Sequence, residues 1–360
     1  MVASSQAQSV EPRLPPGTRC LVTGGAGFIG CNLAAGLVRR GLEVSVLDDL
    51  SRPGAAANLA WLVAEVGNSV RFHEDDVRDA DAVNAVVAGA DIVFHLAGQT
   101  AVTTSVADPK GDFEANALGT LNVLEAARDS RRDPIVVYAS TNKVYGALEG
   151  LAVVEHDTRF SFADAPHGVD ETAPLDFRSP YGCSKGVADQ YALDYHRVFG
   201  LRTIVFRQSC VYGPRQLGSE EQGWVAWLMR AAAAGDPITI YGSGKQVRDL
   251  LHVDDLIEAY VLATQAISAT AGQAYNIGGG EARTLSVWRE FAPRLADLLG
   301  RAPAAPVFED ARPGDQPVFF CDTRKAQRDF RWEPRIDVDA GLLHLRNWLR
   351  AHAAVDVAPA

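Results

Sequence analysis

The chain alternates short, continuously apolar runs with longer stretches in which apolar residues recur every three or four positions. Cys20–Thr23 reads as a strand buried on both faces, and Phe28, Ile29, Leu33 and Leu37 then mark a helix over Phe28–Arg40. Further strands are predicted at Glu43–Leu47, Val70–Glu74, Ile92–Ala97 and Ile135–Ala139, with helices over Asp79–Val87 and about Phe113–Arg128. Tyr181–Phe199 reads as a helix and Thr203–Arg207 as a sixth strand. Such alternation predicts an α/β fold with a parallel sheet covered on both faces. Between them, Ala147–Pro180 shows no clear periodicity, and its length marks function or a lid rather than a simple connector. After Pro214 the pattern changes. Trp224, Trp227, Leu228 and Ala231 fit one face of a helix, Leu250–Val253 a strand returning to the sheet, Asp254–Thr264 its helix, and Tyr275–Gly278 another strand end. From Leu285 onward, short helices and loops suit a smaller C-terminal domain. The expected division is 18–207 with about 249–280 in the first domain, and about 208–248 with 281–355 in the second. Residues 1–17, polar and proline-containing, read as a loose, flexible extension.

Composition narrows the function classes. The 360 residues are 47% hydrophobic, ample for a core, and the net charge of −11 argues against a nucleic-acid or anionic-membrane binder. It leaves room for an anionic substrate at a local arginine cluster. Five scattered cysteines without a C-x-x-C fit reduced thiols in a cytoplasmic protein and neither a disulfide framework nor a metal site. No apolar run reaches transmembrane length, and the N-terminus lacks a signal-peptide pattern.

The candidate chemistry gathers where the predicted strands end, the place where open parallel sheets bind ligands. Gly24, Gly27 and Gly30 are spaced G-x-x-G-x-x-G between a strand and a helix. The first permits a tight turn, the second a pyrophosphate close to the backbone, and the third close packing of helix on sheet. The helix start offers free N–H groups to phosphate. Asp48, eighteen residues beyond Gly30, ends the second strand, where a carboxylate accepts both ribose hydroxyls of an adenosine and repels a 2′-phosphate. NAD is therefore expected rather than NADP. Arg52, the one nearby residue that argues for NADP, reads as a solvated loop residue. Asp76, Ala97–Gly98 and Ser140–Thr141 fall at the ends of other strands.

Tyr181 and Lys185 stand four apart, on one face of a helix, downstream of Ser140–Thr141. An ammonium beside a phenol, aided by a positive nicotinamide ring, would draw the tyrosine from about 10 towards neutrality and make it a general base. The Thr141 hydroxyl is placed to bind the substrate hydroxyl.

Thr23–Gly30, His95-Leu-Ala-Gly98, Asn116, Val144-Tyr-Gly146, Tyr181-x-x-x-Lys185 and Asp254-Asp255 together resemble the extended short-chain dehydrogenase/reductases of the NAD-dependent epimerase/dehydratase family, over about residues 18–350. The resemblance implies a Rossmann-type doubly wound parallel sheet, a smaller C-terminal α/β domain that binds substrate, a tightly held NAD and a nucleotide-diphosphate-sugar substrate. It makes Tyr181 the base, Lys185 the ligand of the nicotinamide ribose and Thr141 the hydroxyl partner. It lines the cofactor site with Gly24, Gly27, Phe28, Ile29, Gly30, Asp48, Asp49, Ser51, Asp76, Val77, Leu96, Ala97, Gly98, Asn116, Tyr181 and Lys185. Related enzymes pair through the helices after Asn116 and Tyr181, so it also implies a homodimer or a tetramer. Within the family, hexose 4,6-dehydratases place Asp-Glu after the threonine, where this chain has Asn142-Lys143. Ser140–Gly146, His95–Gln99, Thr103–Ser105, Ser179–Gly186, Asp189–Tyr191, Gln222–Trp224, Gly244–Asp249, Thr158-Arg159 and Gly168–Glu171 instead resemble the epimerases that invert C2 of CDP-paratose and CDP-tyvelose. That branch implies substrate contacts from Thr103, Thr141, Asn142, Lys143, Gln208, Ser209, Gln222 and Trp224. Arg248 and Arg312 match its diphosphate-binding positions. Gln208-Ser-Cys-Val departs from the expected His-Ser-Ser-Met. The alternatives are a UDP- or dTDP-hexose 4-epimerase and a non-catalytic NAD-binding protein.

Overall fold

A computed structural model of the chain describes residues 14–312 and 315–352. Seven parallel strands form the main sheet. From one edge they run Val70–Glu74, Glu43–Asp48, Arg19–Thr23, Ile92–His95, Ile135–Thr141, Thr203–Gln208, Gln273–Ile277. The order reverses beside Arg19–Thr23, which opens the crevice expected of such sheets between that strand and Ile92–His95. The continuous apolar runs have a direct physical reason. Val22, Val46, Phe94, Val137 and Phe206 face one layer of helices, and Leu21, Leu47, Val93, Val136 and Val205 face the other, all buried.

The second unit is a four-stranded sheet of Cys210–Tyr212, Val247–His252, Thr284–Ser286 and Val318–Phe319. Helices Trp224–Ala234, Phe291–Leu299 and Val338–Ala351 close its core around Phe291, Leu342 and Leu345. Here the expectation for Leu250–Val253 is corrected. Leu250–His252 pairs with Cys210–Tyr212, in the smaller sheet. A buried parallel strand looks the same in sequence whichever sheet receives it. The helix that follows, Val253–Gln265, does pack on the main sheet, through Leu256 and Tyr260.

The aperiodic stretch contains a hairpin, Val153–Glu155 with Phe160–Phe162. It ties the units together: Phe160 N donates to Lys245 O at 3.0 Å, Val169 N to Phe320 O at 2.9 Å and Asn276 Nδ2 to Val169 O at 2.8 Å. The loose extension expected for 1–17 falls on residues 1–13, outside the described residues, and on Leu14–Gly17. Leu14 packs against the core, and Thr18 closes a turn onto Pro15 O.

Candidate active site

The main sheet's carboxyl edge and the second unit enclose a cleft of about 750 Å³. At one end the glycine turn is compact. A Cβ on Gly30 would stand 2.1 Å from Gly24 O, and one on Gly24, at φ +68°, 2.7 Å from Ala97 N. The helix Phe28–Arg39 starts without a side-chain cap or an acidic residue in its first turn, so its N–H groups and partial positive charge face the cleft. Asp48 Oδ2 accepts from Ala26 N and Oδ1 from Leu50 N, both at 2.9 Å, which fixes the carboxylate at the rim. Burial raises its affinity for a proton, and the two N–H donors oppose that. Phe28, Ile29, Asp49, Ser51, Asp76, Val77, Leu96, Ala97 and Gly98 line the same space. Arg78 grips Asp76 through two nitrogens, at 2.5 and 2.8 Å, and holds its carboxyl below the usual range.

His95 sets the end of its strand. Thr120 Oγ1 donates to Asn116 O at 2.6 Å, so it accepts from His95 Nε2, which leaves Nδ1 to accept from Thr23 Oγ1 at 2.7 Å. Thr23 Oγ1 in turn accepts from Ala97 N at 3.2 Å. Burial lowers His95 to about 3, so the ring stays neutral.

At the other end, the helix Ser179–Phe199 delivers Tyr181 and Lys185. Its first turn is held by Ser105 Oγ, which accepts from Tyr181 N at 3.1 Å. Tyr181 is buried against Thr141, whose hydroxyl favours the phenolate, but burial is the larger effect and raises the phenol above its ordinary value. The expected depression included a positive nicotinamide ring beside the phenol, and this upward direction is that of the protein alone. Lys185 Nζ donates to Ala139 O at 2.6 Å and sits 4.5 Å over the Tyr138 ring. Desolvation draws Lys185 down to about 7. A fully buried pair pins this end. Arg207 meets Asp189 at 2.9 and 3.0 Å, and Asp189 also accepts from Ser140 Oγ at 2.7 Å.

Thr141, Gln208, Ser209, Gln222 and Trp224 line the cleft with Tyr181 and Lys185. Gln208 donates to the Tyr260 hydroxyl at 2.5 Å, and Ser209 to the buried Asp249. The remaining sequence-derived residues stand off the wall. Asn116 lies behind Gly98, in a one-turn π segment, with Oδ1 buried and without a donor. Asn142 is buried beside Thr141. Thr103 donates to Glu221. Lys143 Nζ and Arg248 Nη2 converge on Asp315 Oδ1, at 3.6 and 2.6 Å, beyond the wall residue Cys210. Arg312 stacks 4.0 Å over Tyr241. Lys143 and Arg248 satisfy their charge within the protein, which spacing alone does not reveal. Sequence reasoning missed Thr100 and the reach of Arg52, which is an exposed loop residue as expected. Its guanidinium lies in the cleft and donates to Thr100 Oγ1 at 2.5 Å and Gln222 Oε1 at 2.6 Å.

The turn, the uncapped helix start, Asp48 and the unpaired Asn116 Oδ1 fit a dinucleotide. The family model for the NAD dependent epimerase/dehydratase family matches residues 20–278. The chain belongs to that family. NAD is accordingly its cofactor. It is 44% identical to a CDP-paratose 2-epimerase of Salmonella typhi, over 92% of this chain and 98% of that one. In fold it is similar to a UDP-glucose 4-epimerase of Thermotoga maritima solved with UDP-glucose (TM-score 0.80, 29% identity, covering 93% and 100% of the two chains). It is equally similar to a dTDP-glucose 4,6-dehydratase of Streptomyces venezuelae solved with NAD (TM-score 0.80, 30% identity, 94% and 98%). No helix among the described residues is long and apolar enough to cross a membrane, and none of their His, Cys, Asp and Glu groups forms a metal-binding cluster.

Proposed function

We propose that this NAD-dependent nucleotide-sugar epimerase inverts C2 of a CDP-3,6-dideoxyhexose, interconverting CDP-paratose and CDP-tyvelose through a 2-ketone. The observation that carries the reading is the reacting end of the cleft. Tyr181 and Thr141 lie there together, followed by Asn142 and Lys143, which offer no carboxylic acid and base pair for eliminating water. The 44% identity to a CDP-paratose 2-epimerase supports the sugar and the base.

Bound NAD would supply the hydride acceptor and donor for oxidising and re-reducing the sugar carbon. Gly24–Gly30 and Asp48 hold its pyrophosphate and adenosine ribose, and Lys185 its nicotinamide ribose. Tyr181 accepts the hydroxyl proton as the alcohol is oxidised and gives it back on reduction. Thr141 holds the same hydroxyl in line. Gln208, Ser209, Gln222 and Trp224 bound the sugar while it turns. Arg248, Arg312 and Lys143 take the diphosphate, a role suited to guanidinium forks. The carbon follows from chemistry: a C4 ketone acidifies C3 and C5 and leaves C2 inert, so C2 inversion requires oxidation at C2 itself. The exposed Leu118, Tyr191, Val198 and Phe199, on the helical segments after Asn116 and Tyr181, support a homodimer through those faces. A cytoplasmic location is in keeping with five free cysteines.

The test is the reaction in deuterium oxide. Hydride return predicts CDP-tyvelose formed from CDP-paratose with no deuterium at C2; deuterium there would replace the mechanism with proton exchange. The likeness to a UDP-glucose 4-epimerase favours inversion at C4 as the second reading, and product stereochemistry separates the two.

A further inference from the structure

Between the Cys210–Tyr212 strand and the Trp224–Ala234 helix, the chain crosses the mouth of the cleft, touching the second unit at Trp348 and Tyr241 and reaching the cofactor side through a further set of contacts. Asn32 Nδ2 donates to Pro214 O at 3.0 Å and Asn58 Nδ2 to Arg215 O at 3.4 Å. The Arg215 guanidinium stacks 4.3 Å over Trp61. Leu217 seats directly on Gly54, where a Cβ would stand 2.0 Å from Leu217 Cδ1. Ser219 and Gln222 then close a tight turn through paired backbone hydrogen bonds of 2.8 and 3.2 Å. At its far end, Gln222 Oε1 accepts from Arg52 at 2.6 Å and from Thr100 Oγ1 at 2.7 Å, and Glu221 accepts from Thr103.

These partners are not scattered. Arg52 and Gly54 sit on the loop that begins at Asp48, the expected ribose acceptor, and Thr100 and Thr103 follow Ala97–Gly98. Arg215, Gln216, Leu217 and Gln222 line the same cleft as the glycine turn. Oxidative epimerisation needs the hydride back on the carbon that lost it, so a dinucleotide that departed mid-cycle would strand the ketone. We infer that residues 214–222 form a strap that retains NAD, fixed by Asn32, Asn58 and Trp61 at one end and fastened across the cleft by Arg52 and Thr103 at the other. The inference rests on the NAD-dependent reading and is independent of which sugar reacts. A ribose held by Asp48 orders the loop that carries Arg52, which couples the occupied cofactor site to the fastened strap.

The test uses the full-length protein purified with its NAD. NAD per protomer after gel filtration and the rate of exchange with labelled NAD are compared for the wild type, R52A/E221A and Arg52→Lys. The double variant is expected to release NAD at least tenfold faster, with Arg52→Lys in between. Release within twofold of wild type, in a double variant whose circular dichroism and melting match wild type, overturns the strap. Should the double variant fail to fold, hydrogen exchange of the wild type decides. Amides 216–223 are expected to exchange at least tenfold more slowly in NAD-loaded than in NAD-stripped protein, and equal rates overturn the inference. A wild type that carries no NAD and binds none would instead bring down the cofactor reading beneath it.

Discussion

Tyr181 is held protonated by its burial in the protein alone, and Thr141 is the hydrogen-bonding group that favours its phenolate. The base therefore depends on what occupies the cleft beside it, which suits an enzyme that should remove a proton only when substrate and cofactor are both in place. Tyr181→Phe keeps the shape and removes the proton acceptor. Turnover should fall about 10²–10⁴-fold, with bound NAD unchanged, read from steady-state rates and the absorbance of the denatured protein. His95 yields a pH prediction whose sign is fixed. Its folded value of about 3 lies below the ordinary 6.5, so between them the unfolded chain binds a proton that the folded chain refuses. Its contribution is fully present above about 6.5 and is lost as the pH falls towards 3, by about 1.4 kcal/mol per pH unit within the window. His95→Gln should flatten that part of the acid loss in urea unfolding between pH 7 and 4. Parallel curves for both proteins would show that His95 does not carry it. The sequence placed Tyr181, Lys185 and Thr141 along one chain but not the direction of Lys185 Nζ, because a helix face fixes proximity and not which neighbouring carbonyl an ammonium chooses.

At the scale of elements, the glycine turn and the buried Arg207–Asp189 pair do separate work. Gly30→Ala puts a methyl group 2.1 Å from Gly24 O, so the helix must move off the turn. The protein should fold with NAD occupancy cut at least tenfold, measured as NAD per protomer. Asp189 joins Ser140, Arg207 and the Tyr181 helix in one network. Asp189→Ala leaves an unpaired buried guanidinium and should cost about 3–5 kcal/mol in denaturant unfolding. The strands that bear the site were legible because burial on both faces writes itself as unbroken apolar runs. The helix Ala55–Val66 was not expected, although Ala55, Leu62 and Val66 stand at helical spacing; its alanines carry little hydrophobic contrast. The Val247–His252 strand was visible as a strand and invisible as a partner, since pairing is decided by Cys210–Tyr212, far away in sequence. The hairpin at Val153–Phe162 was hidden for a related reason. Its residues are exposed or half-buried and alternate weakly, and its partner is the Lys245 loop of the other unit.

The whole molecule works as two units held around one cleft. The hairpin segment and the 214–222 segment each tie the two units together. Arg248, expected at the diphosphate, and Lys143, expected at the substrate, share Asp315 beyond Cys210. This arrangement leaves C2 inversion of a CDP-sugar as the central claim, and the most direct measurement is proton NMR of the purified protein with CDP-paratose, CDP-tyvelose or UDP-glucose, without added NAD. Interconversion of the two CDP-sugars is the predicted result and would show the C2 chemistry and the retained cofactor together. Turnover of UDP-glucose alone would contradict the account and move the reaction to C4.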